Sequence, residues 1–332
     1  MSPVRTSSRK SPRTPWTRER LVRERAVALS LTIEPSSKAA YSSALQSYIS
    51  FCTSHHFPIE PTVDTLSFFI VFMCSHIKPQ SVESYLSGIS SSLEPFYSNV
   101  RDIRRHHLVT KTLAGCKKMH TSPVHRKEPL DVTHLARLST LFSHSLIHDD
   151  LLFLALLFTG FYGLLRLGEL VWPDRRMLQD FRKTTLRHTV DLTPSSYAFL
   201  LPGHKADRFF HGSQVLIHQQ LPTILASSSS PIDVFKNYLS SRDKRFPFNP
   251  ELWLREDGSI PLRSWFMRRL WVYLPTCYGG HSLRAGGATA LAGAGVPPHL
   301  IQAAGRWSSE TFQVYIRTHP MLLASLLCRP SA

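Results

Sequence analysis

Apolar residues recur at three- and four-residue spacings along most of the chain, which predicts helices, and form short strand-like blocks only near residue 200. The first helix is expected after Ser36-Ser37, with Ala40, Tyr41, Ala44, Leu45, Tyr48, Ile49 and Cys52 on one face. Pro58 and Pro61 punctuate, and Leu66, Phe69, Ile70 and Met73 mark a second helix. Ser81 is placed to cap a third, which presents Tyr85, Leu86 and Ile89, and a fourth covers 108–119. The polar, Pro-containing stretch 121–129 breaks the pattern. Helices are expected again over 130–146 and 149–170. The run 151–165 is the most apolar of the chain, but it stops at Arg166, short of the ~20 residues that span a bilayer, so it reads as a buried helix.

The blocks 197–201 and 214–217 flank a polar segment with Gly203, Lys205, Asp207 and Gly212, which predicts a β-hairpin with an irregular turn. Helices resume over 233–241 and 262–274. His281-Ser282-Leu283-Arg284 opens a small-residue helix ending at Gly295, and positions 281 and 284 fall on one face of it. A short helix to about residue 304 follows. Gly305 turns the chain, and Ser308-Ser309 caps a last helix carrying Phe312, Tyr315 and Ile316. The fold class is therefore mainly α with a small β-hairpin or sheet (α+β). The expected organisation is a basic arm over 1–30, a helical module over 31–120, a linker over 121–129 and a larger module over 130–332.

Charge narrows the function. Among 332 residues, 39 Lys and Arg outnumber 23 Asp and Glu, a formal net charge of +16. Such a chain suits a polyanionic partner, nucleic acid before an anionic membrane surface. The arm carries Arg5, Arg9, Lys10, Arg13, Arg18, Arg20, Arg23 and Arg25, with helix expected from Trp16. It is either a solvated tail, or a phosphate-tracking arm or nuclear-import signal. The amphipathic stripes of 31–120 fit a DNA-gripping module, with Lys111, Lys117 and Lys118 on its fourth helix, and fit generic bundle packing equally well. Five cysteines, odd in number and without CxxC, argue against a disulfide framework, and the adjacent pairs His55-His56 and His106-His107 lack metal-ligand spacing.

Single motifs are weak. HxxR is commonly a surface pair, a helical Tyr commonly core, and the helix-turn-helix pattern of 281–317 also suits a DNA-binding module without chemistry. Their order is specific: Arg166 in GLLRLGEL, Lys205 in LPGHKADRFFHG, then HSLR, GRW and Tyr315. This set resembles the active-site signature of the tyrosine recombinase (phage integrase) family. SSKAAYSSALQSYISFC and SVESYLSGIS resemble that family's core-binding domain, and RKEPLDVTHLARL its join to the catalytic domain. The resemblance spans about residues 36–320 and is nearest to eukaryotic mobile-element recombinases of the Crypton kind.

The resemblance implies a DNA breaking-rejoining enzyme without cofactor or metal, acting in the nucleus on double-stranded DNA and self-associating as a dimer or tetramer on it. Tyr315 would be the nucleophile that forms a 3′-phosphotyrosine link. Arg166 and Arg284 would clamp the scissile phosphate with planar guanidiniums. Lys205 would protonate the departing 5′-oxygen, and His281 would assist proton transfer or hold the phosphate. Glu169 matches the family's acidic brace, or is a solvated helix charge. Relatives place His or Trp directly after the glycine of the last turn, but here Gly305 is followed by Arg306 and then Trp307. Counting from HSLR favours Trp307 and counting back from Tyr315 favours Arg306. Trp307 is assigned, with Arg306 as an extra phosphate contact. Arg126 and Lys127 in the linker join the lysines of 108–119 as expected DNA contacts. Two other readings remain open: a type IB topoisomerase, and a catalytically inactive, domesticated DNA-binding protein.

Overall fold

The computed structural model describes residues 14–120, 127–203, 207, 211–219 and 230–307. Lys205, Arg126, Tyr315, Cys328 and the expected final helix lie outside them. The chain divides into two compact units, residues 1–124 and 125–332.

Unit 1 contains α1 (Arg18–Ser30), α2 (Pro35–Ser54), α3 (Val63–Cys74), α4 (Pro79–Leu93), α5 (Val100–Arg105) and α6 (His107–Met119). Two helix starts differ from expectation. Pro35 and Pro79, not Ser36 and Ser81, set the first turns of α2 and α4, because proline's fixed φ suits the first helical position and its missing N–H costs nothing there. The starting point of α3 is fixed instead by a reciprocal cap between Thr62 and Thr65. Tyr48, Phe51, Leu66, Phe69, Ile70, Leu86 and Ile89 form the core, and α2 packs on α4 while α3 packs on α6. The short α5, hidden in a polar stretch, had no periodicity to announce it.

Unit 2 contains α7 (Val132–Leu141), α8 (His148–Tyr162), β1 (Asp191–Leu192), β2 (Ser196–Leu201), β3 (Ser213–His218), α9 (Pro231–Arg245), α10 (Arg263–Tyr273), α11 (Ser282–Gly293) and α12 (Pro298–Ala304). Among the described residues the strands make one antiparallel sheet of order β1-β2-β3, with Tyr197 opposite Ile217 and Phe199 opposite Val215. The expected hairpin is thus present, with β1 added at its edge. Helix α8 is the buried axis of the unit: Leu152 to Phe158 are almost wholly inaccessible to solvent, and α7, α9 and α11 pack on it. No described helix is long and apolar enough to cross a membrane. The sheet is anchored by Tyr197, which stacks on Phe235 at 4.0 Å and shares a hydrogen bond with Thr159 Oγ1. Cys52, Cys74, Cys116 and Cys277 are free thiols.

The expected helix over 149–170 is shorter in the structure. Helix α8 ends at Tyr162, and Leu164 adopts φ +50°, a left-handed conformation that stops the helix although its side chain stays apolar and buried. Helix α7 ends at Leu141, five residues before the expected limit, and α11 at Gly293; Gly295, at φ +83°, belongs to the turn beyond it.

Helix α11 approaches its neighbours closely because of Gly286 and Gly287. A Cβ at Gly286 would lie 2.0 Å from Leu130 O, and one at Gly287 2.1 Å from Phe161 O. Gly286→Ala should destabilise the protein by about 2 kcal/mol or more through this overpacking against backbone. By contrast, Gly115→Ala on α6 meets nothing within 4 Å and should be neutral to stabilising, since alanine is the better helix former. Thermal melting of the two variants should move in these different directions; equal melting temperatures would contradict the packing described.

Candidate active site

The site begins where α8 ends. After the left-handed Leu164 the chain turns outward into a single 3-10 turn, Leu167–Glu169, with Arg166 before it. The Arg-x-x-Glu spacing closes a reciprocal cap: Glu169 Oε2 accepts from the Arg166 backbone N–H at 2.9 Å, and Glu169 Oε1 from Arg166 Nη1 at 2.9 Å. The Glu169 side chain is 6% exposed. A carboxylate so buried needs a cation, and Arg166 supplies it. Of the two readings of Glu169, the solvated helix charge is therefore excluded.

Helix α11 brings the second arginine. Arg284, in its first turn, is 1% exposed. Its Nη1 donates to Leu164 O at 2.7 Å and its Nη2 to Gly305 O at 2.5 Å, so one guanidinium ties the end of α8 to the turn after α12. The Trp307 ring lies over the same guanidinium, 4.0 Å from Cζ to the ring centroid. Gly305 is required here, because a Cβ would fall 1.6 Å from Trp307 Cζ3.

Arg306 follows at φ +55°. This backbone conformation turns its side chain back toward α8, where Nη2 donates to Gly163 O at 3.2 Å and to Leu164 O at 3.4 Å, and Nη1 to Ala304 O at 3.1 Å. Its guanidinium stands 4.0 Å from Glu169 Oε2 and is 12% exposed. Burial pushes it below the ordinary arginine range; Glu169 opposes that shift and Arg166 adds to it. Arg166, Arg284 and Arg306 are thus gathered at one junction, with Glu169 pairing Arg166 and standing 4.0 Å from Arg306. Such a concentration of positive charge, set among buried side chains, suits a phosphate group.

His281 is exposed at the N-cap of α11. The preceding Gly280 lies so close to the 3-10 turn that a Cβ would come 3.0 Å from Leu167 Cβ, which sets the His281 loop beside the Arg166 segment. Lys127 donates from Nζ to Thr276 O at 2.6 Å and so braces the segment that leads into α11. In unit 1, Lys117 pairs with Glu83 at 2.7 Å, while Lys111 and Lys118 are exposed on α6. Among the described residues no group of three His, Cys, Asp or Glu side chains is arranged to hold a metal ion.

No protein-family model and no curated protein matches this chain. Solved structures do match. The XerH site-specific recombinase bound to a palindromic difH substrate, in a post-cleavage complex, aligns with TM-score 0.60 at 16% identity, over 87% of this chain and 78% of that one. A lambda integrase dimer bound to a COC′ core site aligns with TM-score 0.52 at 14% identity, over 90% and 94%. The Tn1549 transposon integrase with transposon right end DNA aligns with TM-score 0.52 at 15% identity, over 93% and 96%. The fold is that of the tyrosine recombinases. Within this recombinase fold, the motifs GLLRLGEL and HSLR meet at the end of α8, far apart in sequence and joined in space through Leu164 O, Glu169 and Arg306.

Sequence reasoning missed the return of Arg306 to the α8 carbonyls, because a left-handed arginine has no sequence signal. It also missed the Leu164 turn, for which Gly163 was the one available hint. Glu169→Ala should leave Arg166 and Arg306 without their shared counter-ion and lower stability by about 2–3 kcal/mol. Urea unfolding of the full chain measures this. A loss below about 0.5 kcal/mol, the range of an exposed ion pair, would contradict a buried brace.

Proposed function

We propose that this chain is a DNA breaking-rejoining enzyme that carries out site-specific recombination through a 3′-phosphotyrosine intermediate. The observation that carries this reading is the junction at the end of α8, where Glu169 engages Arg166 and Arg306 and Leu164 O accepts from Arg284, in a fold shared with recombinases and integrases. Cleavage of a phosphodiester passes through a five-coordinate phosphorus bearing extra negative charge, and preorganised guanidiniums lower that barrier. In the proposed reaction the Tyr315 oxygen attacks phosphorus and the bond to the 5′-oxygen breaks. The Tyr315 proton leaves with help from His281, and Lys205 supplies a proton to the 5′-oxygen. Arg166 and Arg284 hold the non-bridging oxygens, and Trp307 keeps Arg284 in place. Rejoining runs these steps backwards, with the bond energy kept in the tyrosyl phosphodiester.

Duplex DNA as partner is supported by the net charge of +16, and by the XerH and lambda integrase structures having their DNA sites bound. Self-association on DNA is supported by the lambda integrase dimer. Nuclear localisation rests on the basic arm of residues 1–30, and an origin in a Crypton-like mobile element on the motif resemblance.

The test uses a nicked suicide duplex, enriched from a random-sequence library by binding to the wild-type protein. Wild-type protein should form a covalent protein–DNA adduct and Tyr315→Phe none. Lys205→Ala should slow adduct formation by roughly a hundredfold or more on ordinary DNA. On a 5′-bridging phosphorothiolate the thiolate departs without a proton, and Lys205→Ala should recover most of the rate while Tyr315→Phe recovers none. An equal defect of Lys205→Ala on both substrates would remove Lys205 from the acid role. An adduct persisting in Tyr315→Phe would overturn the assigned nucleophile, and no wild-type adduct would leave a DNA-binding protein without this chemistry.

A further inference from the structure

Helices α4, α5 and α6 of unit 1 enclose a cleft of about 290 Å³, with Leu86 and Val109 among its buried lining and Arg101, Arg104 and Arg105 around it. Three of its basic neighbours have a carboxylate. Arg101 binds both oxygens of Glu94, at 2.5 and 2.6 Å; Arg105 is 3.9 Å from Asp102; Lys117 is 2.7 Å from Glu83. Arg104 differs. Its Nη2 donates to the neutral Ser87 hydroxyl at 2.8 Å, and among the described residues no carboxylate lies within 4.0 Å of it.

A guanidinium has five N–H donors in a planar fork. Arg104 is half-buried, and burial pushes its charged form down from the ordinary arginine value; Glu83 opposes this shift, while Arg101 and Arg105 add to it. A half-buried cation whose own hydrogen-bond partner is a neutral hydroxyl is stabilised when an anion joins it. Leu86, Val109 and Leu113 lower the local dielectric on one side of the cleft and strengthen attraction to an entering anion, while Glu83, which also lines it, is held by Lys117. The fork matches the tetrahedral oxygens of phosphate better than it matches a compact halide.

We propose that this cleft is a phosphate-binding site in which Arg104 grips a backbone phosphodiester of duplex DNA, with Arg101 and Arg105 adding positive charge beside it. The proposal rests on the DNA-acting reading above and extends it, since it locates a DNA grip of unit 1 in arginines that the lysine-based expectation for α6 left out. The same oxyanion chemistry also fits a small free phosphate, for which inorganic pyrophosphate is the probe.

Fluorescence anisotropy of the labelled library-enriched duplex, across a salt series, compares wild-type protein with Arg104→Gln. The variant should bind roughly tenfold more weakly at low salt, as for loss of one charged hydrogen-bonding contact. The slope of log affinity against log salt should shrink by about 0.9, as for loss of one phosphate contact. Calorimetric titration with pyrophosphate separates the sources. Saturable pyrophosphate binding lost in Arg104→Gln, with the duplex slope unchanged, would overturn the duplex assignment. Unchanged duplex and pyrophosphate binding would overturn the site itself.

If thermal melting shows that Arg104→Gln does not fold, the Arg104 Nε–H resonance of ¹⁵N-labelled wild-type protein decides instead. It should shift on saturation with duplex, and a resonance unmoved by both duplex and pyrophosphate would overturn the proposal. Adduct formation by wild-type protein is scored separately. Weaker binding by Arg104→Gln without any wild-type adduct keeps the phosphate site and sinks the enzymatic reading, whereas an adduct with undiminished binding does the reverse.

Discussion

The buried guanidinium of Arg284 is the constraint on which unit 2 is built. A cation that is 1% exposed loses most of its hydration, and its surroundings must replace it. It is held by two main-chain carbonyls, Leu164 O and Gly305 O, and by the face of Trp307. Both carbonyls belong to tight turns. Leu164 is itself left-handed, and Gly305 precedes the left-handed Arg306. Such conformations cost on the order of 1 kcal/mol each in a non-glycine residue, and they persist where surrounding bonds fix them. The arginine is thus satisfied by the two turns, and the turns are held open by the arginine. Gly286 and Gly287 complete the arrangement by letting α11 lie close enough to α8 for Arg284 to reach.

The electrostatics of the site follow from that geometry. Once Leu164 O is fixed, Arg306 can reach Gly163 O and Leu164 O, and its charge comes to stand beside Glu169. Glu169 is meanwhile engaged by Arg166 through both the main chain and the side chain. One carboxylate therefore orients two guanidiniums, Arg166 and Arg306, and the positive charge of the site is fixed in place before any ligand arrives. Preorganised charge of this kind stabilises a phosphoryl transition state without reorganisation at the moment of reaction. Arg306 is the residue favoured by the count back from Tyr315, and Trp307 the one favoured by the count from HSLR. Its guanidinium braces α8 and Glu169, while Trp307 covers Arg284, so the two residues divide the ground around the turn between them.

Much of this fold was legible in the sequence because its helices have one-sided apolar stripes and its strands form short apolar blocks. The β2–β3 hairpin and the buried α8 follow directly from that patterning. What was not legible is where periodicity ends for reasons of backbone conformation. Residues 163–170 continue the apolar pattern of α8, yet the left-handed Leu164 breaks the helix. Pro35 and Pro79 displaced the serine caps because N1 proline and N-cap serine compete for the same turn. At the site, Arg166 and Arg284 stood out through their motifs, and their convergence was expected from the motif order. The carbonyls that hold Arg284, and the fold-back of Arg306, are main-chain features that no side-chain pattern announces. In unit 1 the lysines of α6 drew attention by their number, whereas Arg104 is distinguished by its poverty of partners, which only three-dimensional geometry reveals.

The central claim is that the charge of Arg284 serves the scissile phosphate as well as the packing of the junction. The most direct measurement is adduct formation by Arg284→Ala on two suicide duplexes, one with a normal scissile phosphate and one with an uncharged methylphosphonate there. Thermal melting establishes that the variant is folded. The account predicts no adduct on the charged substrate and a clear adduct on the neutral one, since the missing positive charge is no longer needed where the negative charge is gone. A folded Arg284→Ala protein that cleaves the charged phosphate as fast as wild type, or that stays inert on both substrates while wild type cleaves both, would contradict it.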